Sequence, residues 1–330
     1  MPTMPLASGS DLAARLRRGD LTAAPAVLNL VETRRPDARR ETAVLLEALS
    51  PAALGHEPRG HVVGVTGPPG AGKSTLLGRL VREYRDRGRT VAVLAVDPSS
   101  RRTGGSLLGD RARIEVDPGD GSVFIRSTAA GDRLGGLAWA TRAAAQALSV
   151  AFDVVIVETV GVGQSETDVA DVADTIMVIV QPGSGDVLQF LKSGIMEIPD
   201  VLVVTKADLG RIAQRARSDV RAALRSVGDR TTKVVAVSSV PPVTGFDELV
   251  AVLDAHRAAG DVPRLRRDAR RRTAVDDFRV EHGDRGLRAI GGRTAALRRL
   301  DRTGDDVAVP ILVQELERAA GVDAPDGGDR

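Results

Sequence analysis

The stretch GVTGPPGAGKST, residues 64–75, constrains the fold of this chain more than any other. It contains the pattern G-x-x-x-x-G-K-[ST] between the apolar run HVVGVTG and the amphipathic run KSTLLGRLVREYRDRG. A glycine-rich turn between a strand and a helix lets backbone N–H groups surround phosphate oxygens, and the helix N-terminus adds a favourable dipole. In such a loop Lys73 would reach the β- and γ-phosphates, and Ser74 would ligate Mg²⁺. We therefore predict a nucleotide-phosphate site formed by Gly67, Pro68, Pro69, Gly70, Ala71, Gly72, Lys73, Ser74 and Thr75.

Short apolar runs and longer amphipathic segments alternate through the centre of the chain. Six further Val- and Ile-rich runs follow the motif, namely TVAVLAVD, SVFIRST, FDVVIVE, DTIMVIVQ, VLVVT and TKVVAVS. Their apolar residues are continuous rather than alternating, which indicates strands buried on both faces, as in a parallel sheet covered by helices. The pattern predicts a doubly wound α/β fold of the P-loop NTPase type with a mostly parallel sheet.

Helical patterns flank this central region on both sides. Residues 10–56 carry apolar stripes at helical spacing, and the segments beyond Pro263 are helical in pattern and more charged than a buried core. We predict an N-terminal helical segment at 1–58, a nucleotide-binding domain at 59–260 and a C-terminal helical arm at 261–330. A solvated face of the same domain is the alternative for the arm.

The charged and metal-ligating residues restrict the possible partners. With 46 basic and 44 acidic residues the net charge is +2, which gives little reason to expect nucleic acid as a partner. The chain has no cysteine and four histidines far apart in sequence, which excludes disulfides and thiolate metal sites. It has no apolar run near the about 20 residues that span a bilayer, and its N-terminus lacks a signal-peptide pattern. We expect a cytoplasmic protein with no membrane partner.

The segments VTKAD, residues 204–208, and VSSV, residues 237–240, indicate which base is recognised. At the end of a buried strand, the Asp208 carboxylate can accept from both guanine N1–H and the 2-amino group, which adenine does not offer in that place. Lys206 would lie along the ring, and Thr205 stands where the usual N-K-x-D pattern has Asn. Guanine O6 would meet loop amides after the next strand. The predicted guanine contacts are Thr205, Lys206, Asp208, Ser238, Ser239 and Val240.

Three acids follow or end strands and are candidates for magnesium and catalysis. Asp97 ends one strand, Asp110 lies in TGGSLLGDRAR, and Glu158 ends FDVVIVE in the place where many GTPases have the Asp of D-x-x-G. Acids at the carboxyl edge of a parallel sheet can hold Mg²⁺ or orient an attacking water. Asp97 could instead form an Asx turn before its proline, and Asp110 could be an exposed loop charge. The predicted catalytic residues are Lys73, Asp97, Asp110 and Glu158, and the predicted metal ligands are Ser74, Asp97, Asp110 and Glu158, with Gly161 sensing the γ-phosphate.

Together these segments resemble the MeaB/MMAA family, also known as the ArgK type, whose GTPase class has Glu in the third nucleotide-binding motif. The similarity runs almost unbroken from Gly64 to Asp208 and includes DPSSRRTGGSLLGDRAR, FDVVIVETVGVGQSE and QPGSGDVLQFLKSGIMEIPDVLVVTKAD. The departures are Thr205 for the usual Asn, Gln181 before the Pro-Gly pair, and STAAGDRLGG in place of a more basic loop.

The resemblance implies a chaperone of adenosylcobalamin-dependent acyl-CoA mutases that uses GTP/GDP and Mg²⁺. It implies a first switch with Asp97 and Asp110, a second at 158–166, and a third at 182–192 that contacts the mutase. The C-terminal arm would form a homodimer. The absence of an identifiable arginine finger predicts weak intrinsic hydrolysis that the mutase accelerates. Three alternatives remain open: a metal-insertion GTPase, an ATP- or GTP-dependent kinase of the older transport-kinase name, and a nucleotide-binding scaffold that does not hydrolyse.

Overall fold

The computed structural model describes residues 6–97, 114, 117, 119–129, 139–159, 169–183 and 199–322. The chain divides into two compact units, Arg59–Gly260 and the combination of Met1–Pro58 with Asp261–Arg330. Within the described ranges, no helix combines the length and the apolar character needed to cross a membrane.

The unit Arg59–Gly260 is built on a parallel sheet whose seven described strands lie in the order β3-β2-β4-β1-β5-β6-β7. The strands are β1 (His61–Thr66), β2 (Val91–Asp97), β3 (Val123–Ala129), β4 (Val154–Glu158), β5 (Thr175–Val180), β6 (Val201–Val204) and β7 (Lys233–Ala236). The described α-helices of the chain are α1 (Gly9–Arg17), α2 (Ala24–Glu32), α3 (Pro36–Ala48), α4 (Pro51–Leu54), α5 (Lys73–Asp86), α6 (Trp139–Leu148), α7 (Arg211–Ser226), α8 (Phe246–Ala259), α9 (Val262–Ala289), α10 (Arg293–Leu300) and α11 (Val309–Ala320). The predicted α/β fold with a mostly parallel sheet is therefore confirmed.

The central strands form because their side chains are apolar on both faces. Every residue of β1, β4, β5 and β6 is buried, as expected of parallel strands covered by helices. Helix α5 supplies part of the cover through one buried stripe, Leu76, Leu77, Leu80, Val81 and Tyr84. This stripe anchors the helix whose first residue is the motif lysine.

The amino edge of the sheet contains a network of polar side chains. The hydroxyl of Thr175 lies 2.8 Å from His61 Nε2 and 2.8 Å from His256 Nδ1. His256 Nε2 lies 3.2 Å from an Asp200 carboxylate oxygen, and this hydrogen bond raises the pKa of the imidazole above its usual value. Beside it, Arg257 pairs with the fully buried Asp174 carboxylate at 2.6 Å. These contacts connect β1, β5 and α8 where the strands begin.

The second unit contains both ends of the chain. An apolar cluster of its C-terminal helices is formed by Ala274, Val275, Phe278, Ala296, Leu300, Val309, Leu312 and Leu316. The buried Arg270 makes a bidentate contact with Glu57, at 2.8 and 3.2 Å. Ala52 N also donates to the Asp306 carbonyl at 3.0 Å. The N-terminal and C-terminal helices thus fold together, although the sequence presents them as separate segments.

The basic run at residues 264–272 is largely used inside this unit. Arg271 contacts Asp301 and Asp305 at 3.0 and 2.9 Å, and Arg267 contacts Asp305 at 2.8 Å. Because buried guanidinium groups need carboxylate partners, these arginines contribute to packing.

Glycines divide the helices at points that hydrophobic pattern alone did not reveal. Helix α9 is kinked at Gly283, with φ 67°. Gly291 and Gly292, with φ 88° and 85°, separate it from α10, although residues 284–304 read as one helix in the sequence. Left-handed backbone is accessible to glycine without a Cβ penalty, so each position can end or bend a helix. The amphipathic run DVLQFLKSGIME at residues 186–197, which also predicts a helix, lies outside the described residues.

Candidate functional site

The phosphate-binding loop joins β1 to α5 through three glycines with positive φ. Gly67, Gly70 and Gly72 have φ of 151°, 78° and 90°. At Gly67 space is also limiting, because a Cβ there would lie 2.6 Å from the Ile179 carbonyl oxygen. The loop therefore packs closely against β5, and larger residues at Gly67 would displace it.

Lys73 is held against the loop that it follows. Its Nζ donates to the carbonyl oxygens of Gly67 at 2.8 Å and Pro68 at 3.3 Å. Ser74 and Thr75 complete the first turn of α5, half-buried and exposed respectively. The first-turn N–H groups and the ammonium thus lie at one end of α5, the arrangement that suits an anion.

Glu158 lies beside this loop at the carboxyl end of β4. It is 4% exposed, and the sheet register pairs it with Val65 on β1 and Ala95 on β2. Asp97 is the last residue of β2, two positions beyond Ala95. The backbones of two predicted metal ligands thus come to one sheet edge. Asp110 and Gly161, predicted for the same site, lie outside the described residues.

The predicted base loop follows β6 at the same edge. Lys206 has φ 53°, a positive value that a non-glycine residue adopts only at a cost of about 1–3 kcal/mol. Asp208 is exposed, and Ser238 Oγ lies 3.2 Å from one of its carboxylate oxygens and 2.8 Å from the Val240 carbonyl oxygen. Ala207 N donates to the Val237 carbonyl at 2.9 Å. These bonds hold the two predicted guanine segments together, with Ser239 half-buried and Val240 exposed.

Two side chains connect the base loop to the phosphate loop. The buried Thr205 hydroxyl donates to the Ala71 carbonyl at 2.9 Å. The Gln181 amide lies between the Gly70 carbonyl oxygen and Lys206 Nζ, at 2.9 and 3.1 Å. Because a carbonyl oxygen accepts and an ammonium donates, the amide nitrogen is assigned to Gly70 and the amide oxygen to Lys206. The sequence predicted Thr205 as a guanine contact and Gln181 only as a departure from a family pattern, and it predicted neither bond to the phosphate loop. The signal that could have linked them is their position, one residue beyond the paired ends of β5 and β6.

A histidine group lies in the other unit. Glu281, His282 and Glu317 bring ligand-type atoms within 4.8 Å of one another, although His282 is far from Glu317 in sequence. His282 Nε2 lies 3.1 Å from a Glu317 oxygen, and its ring packs on Phe278 with centroids 4.7 Å apart. A hydrogen bond to Glu317 and packing on Phe278 hold the His282 ring in this arrangement.

Comparisons with known proteins agree with the P-loop geometry. A protein of Pyrococcus horikoshii, named provisionally as a GTPase, is 47% identical over 60% of each chain. The match therefore spans less than two thirds of that relative. The Caenorhabditis elegans protein named methylmalonic aciduria type A homolog, mitochondrial, is 35% identical over 77% of this chain and 68% of its own.

Among solved structures, the crystal structure of LAO/AO transport system kinase has the same α/β fold. It aligns with a TM-score of 0.63 and 25% identity, over 96% of this chain and 98% of the other. The family model described as "Methylmalonyl Co-A mutase-associated GTPase MeaB" matches residues 24–283. With that match over most of its length, the chain belongs to the MeaB family.

Proposed function

We propose that this protein is a GTP-binding and GTP-hydrolysing chaperone of an adenosylcobalamin-dependent acyl-CoA mutase, with methylmalonyl-CoA mutase as its partner. The observation that carries the nucleotide part is the shared sheet edge. There the phosphate loop and the segment with Asp208 are hydrogen-bonded to each other through Thr205. The name of the matching family supports the mutase part.

The phosphate loop and Lys73 bind the triphosphate in this proposal. Backbone N–H groups at the start of α5 would face phosphate oxygens, and Lys73 would exchange its bonds to the Gly67 and Pro68 carbonyls for the β- and γ-phosphates. Asp208 would accept from guanine N1–H and the 2-amino group, and Ser238 orients that carboxylate. Because adenine lacks both donors in that place, the acid favours GTP over ATP.

The carboxyl edge has the donor set that Mg²⁺ prefers. Ser74 offers a hydroxyl, and Glu158 offers a carboxylate at a strand end next to the phosphate loop. Oxygen ligands with neighbouring phosphates are the usual environment of Mg²⁺. When bound, Mg²⁺ would neutralise charge on the β- and γ-phosphates. We assign Ser74, Asp97, Asp110 and Glu158 to this site, directly or through water, and Gly161 to γ-phosphate sensing.

The parts outside the nucleotide edge would serve the partner and assembly. The segment 182–192 would contact the mutase, and the C-terminal helices would form a homodimer. GTP turnover would gate cofactor loading and protect the mutase. No arginine finger is assigned, so intrinsic hydrolysis is expected to be slow and to rise when the mutase binds.

A turnover assay tests this proposal directly. The full chain is incubated with GTP and Mg²⁺, alone and with purified adenosylcobalamin-dependent acyl-CoA mutases, and phosphate release is measured. We expect faster release with methylmalonyl-CoA mutase than with an unrelated protein, and a complex in gel filtration. Equal turnover with and without every mutase tested would overturn the chaperone assignment.

A nucleotide-dependent kinase is the second candidate. The observation that favours it is the 0.63 TM-score with the structure named as a transport system kinase. Asp208 argues against ATP as the donor, and transfer of labelled γ-phosphate to an amino acid or protein would restore this candidate. A metal-insertion GTPase is less supported, since the chain has no cysteine to ligate a transferred metal.

A further inference from the structure

Two consecutive peptide groups of the phosphate loop are held by side chains from other strands. Thr205 and Gln181 stand one residue beyond the ends of β6 and β5, whose last residues Val204 and Val180 pair in register. Their donors reach the carbonyl oxygens of Ala71 and Gly70 respectively. The Thr205 bond connects residues 134 positions apart in sequence.

The Thr205 bond sets the direction of one backbone donor. A peptide group is planar and trans, so its C=O and the following N–H point in opposite directions. When the Thr205 hydroxyl holds the Ala71 carbonyl at 2.9 Å, the N–H of Gly72 is therefore turned away from β6. Gly72 has φ 90° and caps α5, where donors for an anion are expected.

The Gln181 amide contacts both the Gly70–Ala71 peptide group of the phosphate loop and Lys206 of the base loop. It donates to the Gly70 carbonyl at 2.9 Å, and Ala71 N, in the same peptide group, donates to the Pro68 carbonyl at 3.2 Å. The other end of the amide accepts from Lys206 Nζ at 3.1 Å. Lys206 carries the positive φ of 53° that turns the chain toward Asp208. One side chain thus touches both loops.

We propose that Gln181 and Thr205 form a positioning pair that couples guanine recognition by Asp208 to the geometry of the phosphate loop. This inference rests on the proposed guanine-nucleotide function and deepens it. A residue that merely stabilised the phosphate loop would weaken all nucleotides equally. Replacing a coupling residue also affects how well the protein distinguishes one base from another, because Lys206 and the segment before Asp208 lose their hydrogen bonds to it or to the phosphate loop.

The test compares GDP with IDP, whose base lacks the 2-amino group that Asp208 would accept. Dissociation constants are measured for the full chain and for Gln181→Ala, Thr205→Val and Thr205→Ser. Val has the shape of Thr without its hydroxyl, and Ser keeps the hydroxyl. Gln214→Ala is the matched control, because Gln214 is exposed on α7. Asp208→Ala shows the ratio of the IDP and GDP dissociation constants when the carboxylate that would recognise the base is absent.

For the unmodified chain we expect GDP to bind about tenfold or more tightly than IDP. Gln181→Ala and Thr205→Val should each raise the GDP dissociation constant about fivefold to tenfold, since each removes one hydrogen bond. They should also lower the ratio of the IDP dissociation constant to the GDP dissociation constant toward the value measured for Asp208→Ala. Thr205→Ser and Gln214→Ala should keep both values within about twofold.

Equal losses for GDP and IDP in both variants would overturn the coupling and leave a structural role only. If Thr205→Val does not fold, the GDP and IDP dissociation constants of Gln181→Ala are compared alone, since Gln181 is only half-buried. An unmodified chain that binds GDP no more tightly than ADP would instead overturn the proposed function. The two failures are therefore distinguishable.

Discussion

The two edges of the same sheet both contain buried polar side chains, but these bond to different kinds of group. At the amino edge His61, Thr175, His256 and Asp200 form a chain of side-chain contacts. At the carboxyl edge, side chains donate to backbone carbonyls of a glycine-rich loop, as Thr205 does to Ala71. The first arrangement joins side chains to one another and to N–H groups of the strands, as Asp174 accepts from Val62 N–H, whereas the second holds carbonyl groups of a loop.

This difference explains why the carboxyl edge is a candidate binding site, whereas the amino edge stabilises the packing of strands and helix. Occupied carbonyls orient peptide groups of the loop, and their N–H groups can then meet a ligand. A side chain that is already paired with another side chain offers less to a ligand. Parallel sheets bind ligands at the carboxyl edge for the related reason that their loops diverge there.

The sharpest test of the carboxyl edge is the loss of Lys73. We expect Lys73→Ala to reduce GTP turnover about 100- to 1,000-fold, because the ammonium no longer neutralises charge on the transferred phosphate. Turnover is measured by phosphate release. The unfolding midpoint should change little, since the half-buried ammonium donates to carbonyl oxygens of the loop. A variant with normal turnover would contradict the assignment of this edge.

The amino edge should respond in stability and not in nucleotide binding. Asp174→Ala should cost about 3 kcal/mol of unfolding free energy, because it leaves Arg257 without its buried carboxylate and Val62 N–H without its acceptor. Urea unfolding followed by Trp139 fluorescence measures this in the sheet unit, since Trp139 is the one tryptophan of the chain.

The matched control for this variant is Asp247→Ala. Asp247 pairs with Arg87 on the surface, and exposed pairs contribute little. Its unfolding midpoint should stay close to that of the unmodified chain. Equal destabilisation by both changes would contradict the distinction between a buried network and a surface pair. Weaker GDP binding by folded Asp174→Ala would contradict the separation of stability at one edge from nucleotide binding at the other.

Base recognition offers a smaller effect confined to the carboxyl edge. Asp208→Asn should weaken GDP binding about thirtyfold, near 2 kcal/mol, because a charged acceptor is lost. Xanthosine diphosphate should bind more tightly to this variant, since the new amide can donate to the 2-oxo group. Calorimetric titration with both nucleotides measures the exchange, and unchanged preference for GDP would argue against Asp208 as the base contact.

The smallest expected effect is a pH dependence at the amino edge. The pKa of His256 is raised, first by its bond to Asp200, so the folded state binds this proton more tightly than the unfolded chain. The stabilisation is therefore complete below the unfolded pKa of about 6.5 and is lost as pH rises through the folded pKa. Because the pair is partly exposed, it should contribute less than about 1 kcal/mol.

Urea unfolding of the unmodified chain and of His256→Gln between pH 5.5 and 8.5 isolates this contribution. His61, Asp174, Asp200 and Arg257 lie in the same network and are present in both proteins, so their contributions largely cancel in the difference. The advantage of the unmodified chain should be largest at the acid end. A difference that grows toward alkaline pH would have the wrong sign for a raised pKa.

Much of the fold could be predicted because its signals are local. The Val- and Ile-rich runs become buried parallel strands, and the motif at 64–75 becomes a strand, loop and helix, because turn glycines and apolar runs act through near neighbours. The base loop could be placed at the same edge by the strand-end rule. The roles assigned to Asp110, Gly161 and the segment 182–192 remain predictions, since their positions lie largely outside the described residues.

The sequence by itself determined the α/β class and the strand ends on which the candidate residues stand, and it predicted Asp208 as the acid that recognises guanine. Only the tertiary structure decided which distant groups meet: Thr205 with Ala71, Gln181 with Gly70 and Lys206, and His61 with Thr175. The physical reason is that hydrogen bonds between distant residues depend on strand order and register. In a sheet ordered β3-β2-β4-β1-β5-β6-β7, neighbours in space are not neighbours in the chain.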